Sequence, residues 1–208
     1  MTATIVTTER LVVRGWSDED AAQLVAITTV PELVQYLGRP SWTMEDATEL
    51  IGLWRRVEAT LGITTWACPE RSSGSLIGYC GFIGTNAAWL RQGLVEIGWL
   101  LAREWWGQGL ATEAARAVLP LGTARVGTVR IISKCNVQNT ASEAVMRRLG
   151  LRRVGLVRRP QDITVLYRVP LVRPVTDSRP PAGVGGGRGA GPECRMRAAP
   201  VAKATFGG

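Results

Sequence analysis

Between residues 8 and 16 the chain reads Thr-Glu-Arg-Leu-Val-Val-Arg-Gly-Trp, with Leu11 and Val13 set against Arg10 and Arg14, an alternation that predicts a strand. Ser17 and Asp20 then stand at N-cap and N3 spacing, with Asp18 and Glu19 in the first turn. A helix therefore opens there and carries Leu24, Val25 and Ile27 inward. Pro31 begins a second short helical piece through Leu37, and Gly38-Arg39-Pro40 breaks it. Thr43 is another N-cap, with Glu45 and Asp46 behind it. From 44 to about 60, Ala47, Leu50, Ile51, Trp54 and Val57 recur on one side, and Gly62 ends the helix. Strands follow at 64–68 and 76–83, separated by a polar turn at 69–74, and a loop occupies 86–93.

The stretch 95–115 combines three signals. Residues 95–101 are apolar except for Glu96 and read as a strand; Gly107 and Gly109 mark a tight turn; Leu110, Ala114, Val118 and Leu121 then recur at helical spacing. A β-branched strand follows at 128–134, then a polar turn at 136–140. Thr140 and Glu143 have the spacing of a capping box for a helix that ends at Leu149 with Gly150 as its cap. Two last strands lie at 151–158 and 163–169. Beyond 173, Pro180-Pro181, the glycines 185–187 and scattered Arg replace any periodicity. The chain thus divides into one domain, 1–173, and a disordered Gly/Pro/Arg-rich tail, 174–208. The element order implies an α+β fold with a mixed, mostly antiparallel sheet.

Composition removes several chemistries. The 208 residues contain no His, so the commonest general base and every Ser-His or Cys-His scheme are absent. Cys68, Cys80, Cys135 and Cys194 form no closely spaced pair, which argues against zinc and for free thiols. No metal is expected. No apolar run reaches membrane-spanning length, and the N-terminus lacks a signal-peptide layout, so the expectation is a cytoplasmic protein without membrane contact. The net charge of +8 is modest once the five basic and two acidic residues of the tail are set aside. It does not imply nucleic acid, and it suits an anionic small molecule.

A glycine turn that opens a helix presents bare amides to phosphate. The run 107–112, Gly-Gln-Gly-Leu-Ala-Thr, is not a dinucleotide fingerprint: Thr112 stands where a third Gly belongs, and the next strand ends in Ser133-Lys134-Cys135 with no acid. Nor is it a P-loop, since Gly-Lys-Ser/Thr is absent.

Three segments in order, TERLVVRGW, VEIGWLLAREWWGQGLATEAARAVL and NVQNTASEAVMRRLGLRRVG, resemble the GNAT superfamily of acyl-CoA N-acyltransferases. More narrowly they are similar to its Rim-type branch of ribosomal-protein N-terminal acetyltransferases and their relatives, over about residues 8 to 170. The resemblance implies the GNAT fold, with a central strand pair splayed apart and flanked by helices. Acetyl-CoA would lie in the wedge, as acyl donor. Backbone groups of Trp99, Leu100 and Leu101 would pair with the pantetheine amides, and those of Gly107, Gln108, Gly109, Leu110, Ala111 and Thr112 would take the pyrophosphate. Trp106 heads that turn, where it and Trp105 either touch the ligand or pack on the sheet. Asn139 and Ser142 match the pattern whose side chains approach the cofactor arm, with a helix cap as the other reading of Asn139.

Acetyl transfer to an amine needs a proton acceptor, donors for the thioester oxygen and a group to meet the leaving thiolate. Glu96, isolated in an apolar strand, is the candidate base; the alternative is a glutamate facing solvent or paired with an Arg on a neighbouring strand. Many GNAT enzymes place a Tyr acid where Met146 stands here, which leaves Ser142 as the nearest candidate acid. Cys135 reads as a buried thiol rather than an acyl carrier. Trp16, Tyr36, Trp42 and Trp54 are candidate walls of the acceptor site, or core; Arg39 and Arg158 are candidate partners for carboxylates. The implied activity is N-acetylation of a protein N-terminus or a small amine, by a monomer or homodimer. The alternative is a non-catalytic acyl-CoA-binding or partner-binding domain.

Overall fold

The computed structural model describes residues 2–37, 41–83, 93–126, 130–158 and 162–170; the expected tail at 174–208, the break at 38–40 and most of the loop at 86–93 lie outside the described residues. The strands are β1 (Thr4–Thr7), β2 (Val12–Arg14), β3 (Thr65–Pro69), β4 (Leu76–Ile83), β5 (Leu94–Leu101), β6 (Arg130–Asn136), β7 (Arg152–Arg158) and β8 (Ile163–Arg168). The helices are α1 (Asp20–Thr28), α2 (Pro31–Leu37), α3 (Met44–Leu61), α4 (Leu110–Val126) and α5 (Thr140–Arg148). All eight strands belong to one sheet in the order β1-β2-β3-β4-β5-β6-β8-β7. Every neighbouring pair is antiparallel except β5 and β6.

Three local expectations are corrected. The strand expected at 8–16 is the second arm of a hairpin: β1 precedes it, and Thr8 turns the chain by donating its N–H to the Leu11 carbonyl and accepting the Leu11 N–H on its hydroxyl. The β-branched run Thr4–Thr7 carried that signal. The first helix runs from Asp20 and not from Ser17, although half of the expected pairing is present: the Asp20 carboxylate accepts the Ser17 N–H at 2.7 Å, and it also takes two Arg14 guanidinium bonds at 2.8 Å. Burial pushes that carboxyl up, and the bonds from Arg14 and Ser17 bring it below its ordinary value. The last helix is capped by Asn139, whose Oδ1 accepts the Ser142 N–H at 3.0 Å, and not by a Thr140–Glu143 box. Glu143 instead accepts from the Tyr167 hydroxyl and pairs with Arg147. The capping box expected at Thr43 and Asp46 is present in both directions, and Gly62 closes α3 at φ 68°.

Each sheet face has its own cover. On one, Trp16, Leu24, Ile51, Tyr79 and Leu100 form a core under the N-terminal helices. On the other, Leu11, Trp66, Phe82, Ile97, Leu110 and Val118 form a core under α4. A smaller apolar group joins α5 to β8 through Met146, Leu151, Val165 and Tyr167. α4 lies so close to β4 that a Cβ on Gly122 would overlap the Phe82 ring.

Candidate active site

β5 and β6 run side by side for three residues only: Leu94 opposite Arg130, Val95 opposite Ile131 and Glu96 opposite Ile132. Beyond that rung β5 follows β4 to Leu101, while β6 follows β8 to Asn136. The two strands part and leave a wedge. The Ala102 N–H donates to the Ile77 carbonyl at 2.8 Å, so strand alternation turns the backbone groups of Leu100 toward β4 and those of Trp99 and Leu101 toward the wedge. Leu100 is thereby removed from the three residues expected to pair with a pantetheine arm. The Leu101 carbonyl is also taken, by the Trp106 indole N–H at 2.7 Å.

Trp106 was expected either at the ligand or packed on the sheet, and the second arrangement is the one present. Its ring packs against both main cores, with the Arg103 guanidinium 5.1 Å from its centroid, so its side chain braces the turn. Behind it, Gly107 and Gly109 take φ of 75° and 81°, with open space where a Cβ would stand. The six amides from Gly107 to Thr112 donate no hydrogen bond among the described residues; the first helical bond of α4 is Glu113 N–H to the Gly109 carbonyl. Consecutive free amides at a helix start form a concave, electropositive nest for an anion. The Thr112 hydroxyl is buried there without a partner among the described residues.

Arg10 and Glu113 hold this turn against the β1–β2 hairpin, a contact the sequence reading did not single out. Glu113 accepts the Thr8 hydroxyl at 2.6 Å, the Arg10 N–H at 2.9 Å and two guanidinium bonds at 2.9 and 2.6 Å. The same guanidinium donates to the Gln108 carbonyl at 2.9 Å. Burial pushes the Glu113 carboxyl up, but the bonds from Thr8 and Arg10 together hold it below its ordinary value.

Glu96 sits at the fork, on the last rung before the strands part, and is 7% exposed. It does not face solvent. Its partner is Lys134 of β6, with Nζ 2.7 Å from Oε2, rather than an Arg. Burial pushes the Glu96 carboxyl up, the Lys134 charge and hydrogen bond pull it down, and the net displacement is upward. Tyr79 of β4 shares this face, since it pairs with Leu100. Its hydroxyl makes no hydrogen bond among the described residues, and burial together with the nearby Glu96 charge keeps it a neutral phenol. Neither Lys134 nor Tyr79 was a sequence candidate; only the register across β4, β5 and β6 brings them to Glu96.

Met146 is 1% exposed inside the apolar group under α5 and has no proton to give. Ser142 stands in the first turn of α5, and its hydroxyl is free of hydrogen bonds among the described residues. The Cys135 thiol donates to the Asn139 carbonyl at 3.6 Å and is pushed up to about 11 by burial and by Glu143, so it stays protonated at neutral pH. Trp16 stacks on Trp54 at 4.8 Å and Trp42 on Tyr79 at 6.3 Å; at 2% and 7% exposure, Trp16 and Trp42 are core. Arg158 lies at the far end of β7 from the rung of Glu96, and Arg39 is outside the described residues. No group of potential metal ligands occurs among the described residues, and no described helix is long and apolar enough to cross a membrane.

With this geometry established, the family model of the acetyltransferase (GNAT) domain matches residues 10–152. The chain belongs to the GNAT acetyltransferase family. A GNAT relative, the uncharacterized N-acetyltransferase p20 of Bacillus licheniformis, is 29% identical over 152 residues, covering 73% of this chain and 84% of its own. A GNAT acetyltransferase from Bacillus anthracis shares the fold at a TM-score of 0.66 and 24% identity, over 81% of this chain and 98% of that one. So does RimL, a ribosomal L7/L12 α-N-protein acetyltransferase solved with coenzyme A, at a TM-score of 0.66 and 21% identity, over 80% and 97%. RimL-type enzymes thus stand among the structural neighbours of this GNAT chain, in keeping with the Rim-like segments; the likeness is one of fold.

Proposed function

We propose that this acetyltransferase moves an acetyl group from acetyl-CoA directly to a primary amine, a protein N-terminus or a small amine, with Glu96 as the proton acceptor. The observation that carries the reading is the place of Glu96: a buried carboxylate on the last rung before β5 and β6 part. A neighbour of the same fold was solved with coenzyme A, and the amides of Gly107 to Thr112 suit its pyrophosphate. Trp99 N–H and C=O and the Leu101 N–H are the strand-edge groups left for the pantetheine arm.

Bound acetyl-CoA supplies the acetyl group as a thioester. The acceptor arrives mostly as an ammonium at neutral pH, so its proton must leave before the nitrogen can attack the carbonyl carbon. Glu96 receives that proton, directly or through water; burial pushes its carboxyl up and Lys134 offsets part of that push. As the C–N bond forms and the C–S bond breaks, Ser142 is the group assigned to give its hydroxyl proton to the leaving thiolate, the second proton shed by the acylated nitrogen restores that hydroxyl through water, and Glu96 releases the first proton to solvent. Cys135, held as a thiol, takes no part.

The test is thiol release from acetyl-CoA with a panel of amines, read beside the mass of the product. Turnover by the native protein, lost in Glu96→Gln, supports the reading. Calorimetry with Gly109→Asp tests the nest separately, and unchanged acetyl-CoA affinity would exclude it. The buried Met146 favours the second reading, a domain that binds acyl-CoA without transferring it. Binding with no turnover on any amine would select that one.

A further inference from the structure

Register links Glu96 to a second charged feature on the same face of the sheet. Glu96 pairs with Ile132, Ile132 with Arg168, and Arg168 with Arg152. Residues in register across neighbouring strands project from the same face, so this is one row across β5, β6, β8 and β7. Strands lie about 4.8 Å apart, which puts the Arg168 α-carbon roughly 10 Å from that of Glu96 and Arg152 one strand further. Lys134 stands two residues along β6 on the same face.

Arg168 and Arg152 are exposed and directly opposite each other. Like charges opposed in this way cost stability, and neither forms an ion pair or hydrogen bond among the described residues. The other face of the same strands is built differently. There Arg147 pairs with Glu143, and the charge of Arg153 also acts on that carboxylate. Among the described residues, Arg147 and Arg153 thus have a carboxylate where α5 lies, and two arginines on the row that leads to Glu96 have none.

We infer that Arg168 and Arg152 form an anion subsite of the acceptor site, and that the preferred acceptor is an amine carrying a carboxylate. This rests on the reading of Glu96 as the end of the site that receives the amine. The row then holds the two ends of one molecule, amine at the carboxylate and carboxylate at the guanidiniums, in the bidentate geometry that arginine offers. Two sources share this chemistry: an acidic side chain just after a peptide N-terminus, and the carboxylate of a free amino acid.

The test compares matched acceptors that differ only in charge. Ser-Glu-Ala-Ala-amide is set against Ser-Gln-Ala-Ala-amide, and leucine against leucinamide. The native protein is expected to favour the charged member at least tenfold in kcat/KM, with the preference shrinking as salt is raised. Whichever pair shows the preference names the source. In Arg168→Gln and Arg152→Gln the ratio of charged to neutral kcat/KM should fall at least fivefold, mostly through KM. The thermal midpoint of each variant should hold or rise, because an opposed charge has been relieved. Turnover of both members of each pair without preference, or a ratio unchanged in both variants, overturns the subsite and leaves the transferase reading standing. A lowered midpoint with an unchanged ratio would make the arginines structural and overturn it too. Failure of every amine would instead remove the transferase reading, and the subsite with it.

Discussion

Lys134 of β6 holds its ammonium 2.7 Å from the Glu96 carboxylate of β5, from two residues beyond the last rung that the two strands share. With Glu96 in the proposed base role, the pair would set the pH at which the site works. Burial raises Glu96 above the ordinary glutamate value near 4.5, and Lys134 supplies the two influences that lower it. A base works only when unprotonated, so the rate should fall as pH drops through that raised value. Lys134→Met removes the lowering influences, and its acid limb should lie at higher pH than the native one. Glu96→Gln should lose the limb and about a hundredfold or more in kcat/KM. The measurement is kcat/KM against pH with one amine throughout, so that titration of the amine itself cancels. An acid limb unmoved in Lys134→Met would remove that residue from the control of Glu96.

Glu96 was visible in the sequence because a carboxylate in an apolar strand is costly unless it is used or paired. The glycine turn was visible for a similar reason, since only a positive φ demands Gly107 and Gly109. The partners were not visible. Lys134, Tyr79 and the Arg168–Arg152 pair reach this face through register between strands far apart in the chain, and local periodicity carries no register. Leu100 shows the same limit on the scale of one residue: its neighbours face the wedge, and its own amide belongs to β4. At the start of α5 the error was one of competition. Glu143 had the spacing of a capping box, and Tyr167 and Arg147 claimed it instead.

The contact between Glu113 and Arg10 should couple stability to acetyl-CoA affinity. Glu113→Gln keeps the shape but weakens bonds to a charged acceptor, a loss of about 1 kcal/mol at pH 7. A carboxylate held below its ordinary value contributes stability above that value and loses it as pH falls through the lower one. The native advantage over the variant should therefore be full at pH 7 and vanish in the acid range below the ordinary glutamate value. Denaturant unfolding of both proteins across that range checks it. Because Arg10 also holds the Gln108 carbonyl, Arg10→Ala should weaken acetyl-CoA binding by calorimetry although it touches no amide of the nest.

Two glycines separate packing from binding. A Cβ at Gly122 would overlap the Phe82 ring in a closely packed layer, so Gly122→Val should cost about 1–3 kcal/mol and lower the thermal midpoint. Gly107 has open space around it, and its demand is conformational only. Gly107→Ala should cost about 1 kcal/mol through the left-handed backbone. Its larger effect should fall on acetyl-CoA affinity, since relaxing that φ tilts the nest. Equal losses of affinity in the two variants would mean that the turn is only a connector.

Ser142 and Asn139 can be separated in the same way. The Asn139 side chain accepts the Ser142 N–H at 3.0 Å and caps α5, so Asn139→Ala should cost about 1 kcal/mol of stability. The Ser142 hydroxyl holds nothing among the described residues, so Ser142→Ala should leave the unfolding midpoint unchanged. If that hydroxyl meets the leaving thiolate, its loss should lower kcat about tenfold or more with little change in KM. An acyl donor whose thiol is more acidic needs less help at that step, and with it the deficit of Ser142→Ala should shrink. A kcat deficit that is the same for both donors would assign Ser142 to positioning the cofactor arm, and no deficit at all would leave the thiolate to solvent.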